Sequence, residues 1–160
     1  MLRDRNLIPL SHQHQHALAL CVRIERGLAC ERPDPQHWQR EITQIFESEI
    51  RFHFAAEEKV LFPFAQHAPS LRDLVDELRI DHISLRQYAA GAAEGRLTVP
   101  ELQLFAASLA AHVRKEERQL FEGMQEFFSD EELEQVGGEL DSYFLSSGMP
   151  GASCALRPQK

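Results

Sequence analysis

Hydrophobic positions recur every three or four residues along most of the chain, which is the spacing of α-helices with one buried face. The first such stripe predicts a helix from about Pro9 or Ser11 to about Cys30. Its apolar-face positions are Leu10, His14, Ala17, Cys21, Ile24 and Leu28. No segment shows the convincing alternation of a strand, so the pattern predicts an all-α protein.

A second long helix is predicted between two proline-containing signals. Asp34 suits the N-cap and Pro35 the first helical position, while Pro63 should end or kink the helix near Gln66. Its stripe consists of Trp38, Ile42, Ile45/Phe46, Glu49/Ile50, His53, Glu57, Val60 and Phe64.

Two more long helices follow, each preceded by a capping-box pattern. Ser70 to Asp73 opens the third helix, which fades between Gly91 and Gly95, and Thr98 to Glu101 opens the fourth. The third stripe is Leu71, Val75, Leu78, His82, Leu85 and Ala89. The fourth is Leu102, Phe105, Leu109, His112, Glu116, Leu120, Met124 and Phe127.

A shorter fifth helix is predicted after Ser129, with Leu133, Val136, Leu140 and Phe144 on one face. Four amphipathic helices with short connections pack most naturally as an up-down-up-down bundle. We therefore expect one domain over residues 1–145, made of this four-helix bundle and the short fifth helix. Residues 146–160, rich in Ser, Gly and Pro, are expected to form a flexible C-terminal tail.

The composition excludes several classes of function. A net charge of −8 argues against nucleic acid or anionic lipid as a partner, and no apolar run is long enough to cross a bilayer. Three cysteines without paired spacing, Cys21, Cys30 and Cys154, indicate reduced thiols. With no signal-peptide pattern at the N-terminus, a cytoplasmic location is expected.

A ten-residue segment occurs twice, at residues 53–62 and 112–121. Both copies have the form His-x-x-x-Glu-Glu-x-x-Leu-Phe, the first on the predicted second helix and the other on the fourth. The helix before each copy carries a histidine on its apolar stripe, His14 in one case and His82 in the other. The chain therefore predicts two similar helical hairpins, each presenting one His and one His-x-x-x-Glu pair.

The residues selected by this repeat form a candidate metal site: His14, His53, Glu57, His82, His112 and Glu116. Residues four apart share one helix face, so each His-Glu pair can reach the same metal ion or adjacent ones. Burying two carboxylates without a cation would cost several kcal/mol each. Imidazole and carboxylate ligands suit iron or manganese, and the absence of cysteine argues against structural zinc.

Neighbouring residues receive simpler interpretations. His12 and His16 lie off the stripe and are expected to be exposed, although either remains an alternative to His14 as a ligand. Glu58 and Glu117 also lie one position off the stripe, where solvated salt-bridge partners are expected rather than ligands.

Taken together, residues 8–128 resemble the hemerythrin-like family of His-His-Glu cation-binding domains. The duplicated segment is the most specific likeness, and the stretches 9–14 and 81–82 are similar to the family's first-helix and third-helix motifs. The resemblance implies two non-haem iron ions in the bundle, with Mn or Zn as substitutes. It also implies bridging by carboxylates and usually by an oxo or hydroxo group. The implied bridges are Glu57 and Glu116, and the implied terminal ligands are His14, His53, His82 and His112.

One departure from the oxygen-carrying members bears on function. They have a second histidine one turn before His82, where this chain has Leu78. Four histidines leave both metals with open or water-filled positions, which favours a redox or stress-response module that senses or reacts with O2, NO or peroxide. Iron storage or delivery without catalysis is the alternative. Any catalysis would be the metal's, so the chain fits a metal-binding protein better than a classified enzyme. The electron donor, protein partner and oligomeric state stay open.

Overall fold

The computed structural model describes residues 2–148, and every regular element in that range is a helix. The all-α prediction is therefore confirmed. Helix α1 is Ile8–Leu28, α2 covers residues 35–65, α3 is Arg72–Ala93, α4 covers residues 99–127, and the shorter α5 is Asp130–Ser146. Cys154 and the part of the predicted tail beyond residue 148 lie outside the described residues.

Helices α2 and α4 contain π-helical turns, in which the backbone bonds run from i to i+5. They are Phe46–Ile50 and Glu57–Leu61 in α2, and Glu116–Leu120 in α4. A π-turn widens the helix by inserting one extra residue, and such turns are frequent at functional sites. The last two begin at the equivalent glutamates of the duplicated segment, Glu57 and Glu116.

Of the four predicted start signals at Asp34, Ser70, Thr98 and Ser129, three are confirmed and one is wrong. Asp34 accepts a hydrogen bond from the backbone N–H of His37, and Glu101 accepts one from Thr98. Ser129 starts α5 as predicted. No capping box forms at Ser70, because residues Pro69–Leu71 make a 3₁₀ turn and α3 begins afterwards without a side-chain cap. The side chain of Leu71, the last residue of this turn, is buried.

The four long helices form the bundle, with α1 packed along α4 and α2 along α3. Two apolar clusters fill its core. One contains Leu20, Ile24, Phe105 and Leu109, and the other contains Leu61, Leu78, Leu120 and Phe121. The fifth helix covers the second cluster through Val136, Leu140 and Phe144. A layer remains between the two clusters, and it contains the buried histidines and glutamates.

The N-terminal segment and α5 meet at a glycine. Asn6 is 4 % exposed, and its side chain lies so close to α5 that a Cβ atom on Gly137 would be 2.7 Å from the Asn6 Cβ. Because real Cβ atoms do not approach this closely, glycine is required here. None of the helices within residues 2–148 combines the length and apolar character that crossing a membrane would need.

Candidate metal centre

All six residues singled out by the duplicated segment come together in the layer between the two apolar clusters. The glutamates Glu57 and Glu116 are 0 % exposed, and the four histidines are between 0 and 6 % exposed. On each helix the next stripe residues belong to the two clusters, so apolar packing fixes these side chains on both sides. In α1, for example, Leu10 lies on one side of His14 and Ala17 on the other.

The six side chains form two overlapping groups that share both glutamates. One group is His14, His53, Glu57 and Glu116, and the other is Glu57, His82, His112 and Glu116. In each group the candidate ligand atoms lie within 4.8 Å of one another. Each half therefore has two imidazoles of its own and two carboxylates in common with its neighbour.

Glu57 and Glu116 both lie between the two halves. Glu57 Oε1 is 3.0 Å from His53 Nε2, while Glu57 Oε2 is 3.4 Å from His82 Nε2 in the other half. Glu116 Oε2 is 3.1 Å from His14 Nε2 and 3.3 Å from His112 Nε2. Each glutamate is therefore in contact with histidines of both halves.

The histidines of each half present their Nε2 atoms to one another. The distance is 3.0 Å between His14 and His53, and 3.1 Å between His82 and His112. Two nitrogen ligands bonded to one cation at about 2.1 Å are separated by about this distance when their bonds are roughly perpendicular.

The opposite ring nitrogens fix the tautomer of three of the histidines. His14 Nδ1 lies 2.7 Å from Glu117 Oε1, and His82 Nδ1 lies 2.8 Å from Glu58 Oε1. His53 Nδ1 lies 2.6 Å from the Gln13 side-chain oxygen. Because these oxygens accept, each Nδ1 carries the hydrogen, and the neutral ring has a lone pair on Nε2. In their neutral forms these three rings therefore present Nε2 lone pairs toward the shared carboxylates, whereas a protonated ring presents an N–H group there.

Glu58 and Glu117 have a second role that the sequence did not reveal. Both form the predicted salt bridges, Glu58 with Arg86 at 2.7 Å and Glu117 with Arg3 at 2.7 Å. They also orient His82 and His14, so each carboxylate links a surface arginine to a buried imidazole. The available signal was that the second glutamate of the Glu-Glu pair is repeated in both copies of the segment.

The fourth histidine has a different environment. His112 Nδ1 has no hydrogen-bond partner with good geometry, and its nearest carboxylate is Asp81, with Oδ2 3.5 Å away. Lys115 holds the same Asp81 oxygen at 3.0 Å. Asp81 and Gln13 each directly precede a histidine of the set, so the two halves correspond in sequence but differ in charge at this position.

The pKa shifts indicate that protons on the histidines balance the negative charges of the buried glutamates. Burial lowers the pKa of His82, but its contacts with Glu57 and Glu58 outweigh this and raise the pKa to about 9. Burial likewise opposes protonation of His14, yet Glu116, Glu117 and Glu57 raise its pKa well above 6.5. Burial would raise the pKa of Glu57, but His53, His14 and His82 lower it. The carboxylate of Glu57 is thus held in its ionised form.

A metal ion fits this arrangement better than protons do. Among the described residues, the four carboxylate oxygens of Glu57 and Glu116 form no hydrogen bond of good geometry, although imidazole nitrogens lie close to them. Buried ionised oxygens without good hydrogen bonds are costly, and converging lone pairs repel one another. Divalent cations at these positions would satisfy both the oxygens and the Nε2 atoms.

The remaining histidines lie outside this constellation. His12, His16, His37 and His67 are exposed, as predicted for the first two. His16 pairs with Glu49 at 3.4 Å rather than with the buried carboxylates. Neither His12 nor His16 belongs to the two groups formed by the described residues, and His14 does. Cys21 is buried in an apolar cluster, and burial raises the pKa of its thiol to about 12.

A small cavity reaches the centre from one side. Its volume is about 20 Å³, enough for about one water-sized molecule. The imidazoles of His14, His53 and His112 contribute to its wall. The other residues of the wall are Gln13, Ala17, Ile45, Glu49, Ile50, Phe54, Leu109 and Val113.

The fold and the site define a class of protein, a helical bundle with a buried, duplicated His/Glu metal-binding constellation. Residues 9–123 match the family model of the hemerythrin HHE cation-binding domain, and the chain belongs to this family. No curated protein and no solved structure matches the chain significantly. Family membership and the buried His/Glu groups together support metal-ion binding as the function of the site.

Proposed function

We propose that this protein binds two iron ions through His14, His53, Glu57, His82, His112 and Glu116 and that it senses or reacts with O2, NO or peroxide. The observation that carries the proposal is the pair of overlapping two-His, two-Glu groups whose shared carboxylate oxygens form no hydrogen bond of good geometry among the described residues. Each half would hold one ion through its two histidines, and the glutamates would bridge the two ions. When bound, the iron pair supplies one-electron redox chemistry and free coordination positions.

The donor set favours iron or manganese over structural zinc. Neutral imidazole together with carboxylate suits iron and manganese, whereas structural zinc sites are commonly built from cysteines. The only thiols among residues 2–148 are Cys21, which is packed in an apolar cluster, and Cys30, which is exposed. Neither lies in either His/Glu group.

The size and lining of the cavity support a small reactant. A volume of about 20 Å³ admits a diatomic molecule or peroxide but no larger substrate without movement of the wall. Phe54, Leu109 and Val113 contribute apolar surface to the wall beside the imidazoles. The chain thus offers O2 or NO a small, largely apolar cavity beside His14 and His53.

The proposal is tested with protein purified from iron-supplemented cells, reduced anaerobically and mixed with O2 or NO. We expect a change in the visible spectrum in stoichiometric proportion to the iron pair. His82→Ala should abolish the change, because one half loses an imidazole. His67→Ala should behave like the unmodified protein, because His67 is exposed and lies outside the site. A loaded protein that is spectrally silent toward both gases and peroxide would contradict a sensing or redox role.

Iron storage or delivery without catalysis is the alternative function. The observation that favours it is the half-exposed carboxylate of Glu49 in the cavity wall, since a carboxylate there assists the passage of cations. This alternative predicts that a mild chelator removes the iron within minutes and that neither gas changes the spectrum.

A further inference from the structure

The cavity beside the metal centre connects a solvent-exposed carboxylate with buried imidazoles. Glu49 forms part of the cavity wall, and its side chain is 41 % exposed, whereas the side chain of His14 is 3 % exposed. Gln13 and Ile45, both half-buried, line the same cavity. The wall of the cavity therefore contains both a partly exposed carboxylate and buried imidazoles of the site.

Local backbone geometry directs Glu49 to this place. Glu49 lies in the first π-turn of α2, Phe46–Ile50, and its neighbour Ile50 also lines the cavity. Glu47 lies in the same π-turn but does not contribute to the wall. It is 64 % exposed and pairs with Arg51 at 3.1 Å. Two glutamates of one turn thus have different environments, one at the cavity and one in solvent.

Glu49 differs from the other residues of the cavity wall in its negative charge. Of the described residues that line the cavity, it alone is a carboxylate. An anionic group at the opening of an apolar cleft concentrates cations there and accelerates their association. His16, on α1, lies with its Nδ1 3.4 Å from Glu49 Oε2 and so holds the carboxylate beside the opening.

We propose that Glu49, positioned by His16, is the cation-access residue of this protein, taking divalent cations from solvent and passing them to His14 and His53. The inference rests on the proposed function, because it needs a centre that binds cations. It identifies the route by which cations enter and the residue that assists their entry. Glu49 acts during uptake and is not a ligand of the loaded centre.

The test is the rate at which the chelator-stripped full-length protein takes up Co²⁺, measured by stopped-flow visible absorbance. Glu49→Gln should slow uptake about tenfold, the lower end of the effect expected from electrostatic focusing. The final number of Co²⁺ ions per chain should stay at that of the unmodified protein. Glu47→Gln removes the same charge from the same π-turn but not from the cavity, and it should leave the rate unchanged.

Salt dependence separates an electrostatic role from a structural one. Raising the ionic strength should slow uptake by the unmodified protein and by Glu47→Gln, but it should affect Glu49→Gln less. Equal uptake rates for the two variants would overturn the inference, and so would a loss of bound Co²⁺ at equilibrium in Glu49→Gln. If the unmodified protein binds no Co²⁺ at all, the proposed function itself fails.

Discussion

At the scale of single residues, the direction of each imidazole governs the chemistry of the site. Carboxylates outside the constellation orient two of the histidines, since Glu117 and Glu58 contact the Nδ1 atoms of His14 and His82. Such partners fix the ring and increase its basicity toward a metal ion. Their arginines, Arg3 and Arg86, neutralise the outer end of each carboxylate.

Removing the charge of an orienting carboxylate should weaken metal binding. Glu117→Gln keeps an oxygen that can accept from His14 but loses the negative charge, so we expect metal affinity to fall about 10- to 100-fold. Equilibrium titration against a competing chelator measures this. Glu134→Gln is the control, because Glu134 is exposed and pairs with Arg5 far from the site. Equal affinities for the two variants would show that Glu117 does not act through His14.

The raised pKa of His82 predicts opposite pH trends for the metal-free and metal-bound protein. Its pKa is about 9 in the folded chain, against 6.5 for an unperturbed histidine, so its protonation stabilises the metal-free fold fully below about pH 6.5. This contribution, about 3 kcal/mol at most, is lost as the pH rises through 9. Urea denaturation of chelator-treated protein should therefore show stability falling between pH 6.5 and 9.

Metal affinity should increase over the same pH range, because bound metal displaces the proton from His82. Titrations at pH 6.5, 7.5 and 8.5 check this trend. An affinity that is constant across this range, together with constant stability of the metal-free protein, would show that protonation of His82 does not balance the charge of the buried carboxylates.

At the scale of the elements, the periodicity of the sequence predicted all five helices because each buries one face along most of its length. The six candidate residues followed from the same stripe and from the duplicated segment. The π-turns were not predicted, and one extra residue in a turn shifts the buried face of a helix by one position. After the π-turn at Glu57, Leu61 and Ala65 are buried, whereas the predicted stripe residues Val60 and Phe64 are only partly buried. The last stripe position of α4 is also wrong, because Phe127 is 53 % exposed and Phe128 is buried in its place.

The π-turns explain a missed feature: Glu58 and Glu117 lie off the stripe, yet both reach histidines on neighbouring helices. The capping box predicted at Ser70 does not form, because residues Pro69–Leu71 make a 3₁₀ turn and α3 begins only after it.

The contact between α5 and the N-terminal segment predicts opposite effects for two adjacent glycines. Gly137→Ala would place a Cβ atom 2.7 Å from that of Asn6 and should destabilise the protein by about 1–3 kcal/mol. Gly138→Ala meets nothing within 4 Å and should stabilise the helix by up to about 1 kcal/mol. Urea unfolding curves compare the two, and stabilisation by both would show that α5 does not pack on Asn6 in this way.

At the scale of the whole molecule, the bundle encloses a polar layer between two apolar clusters, and metal binding is therefore coupled to folding. A ligand that binds only the folded chain stabilises it by about 2.7 kcal/mol at a concentration one hundred times its Kd. The Tm of the loaded protein should fall when a strong chelator is added. The double variant Glu57→Gln with Glu116→Gln should have a Tm that does not respond to the chelator.

The most direct test of the central claim is the iron content of the purified protein, measured together with its visible and near-ultraviolet spectrum. Our account predicts about two irons per chain and charge-transfer bands in the near ultraviolet, because two overlapping groups share both glutamates. His14→Ala should lose iron, whereas His12→Ala, which removes an exposed neighbour on the same helix, should retain both ions. A folded protein that contains no iron and is unchanged by added iron would contradict the account.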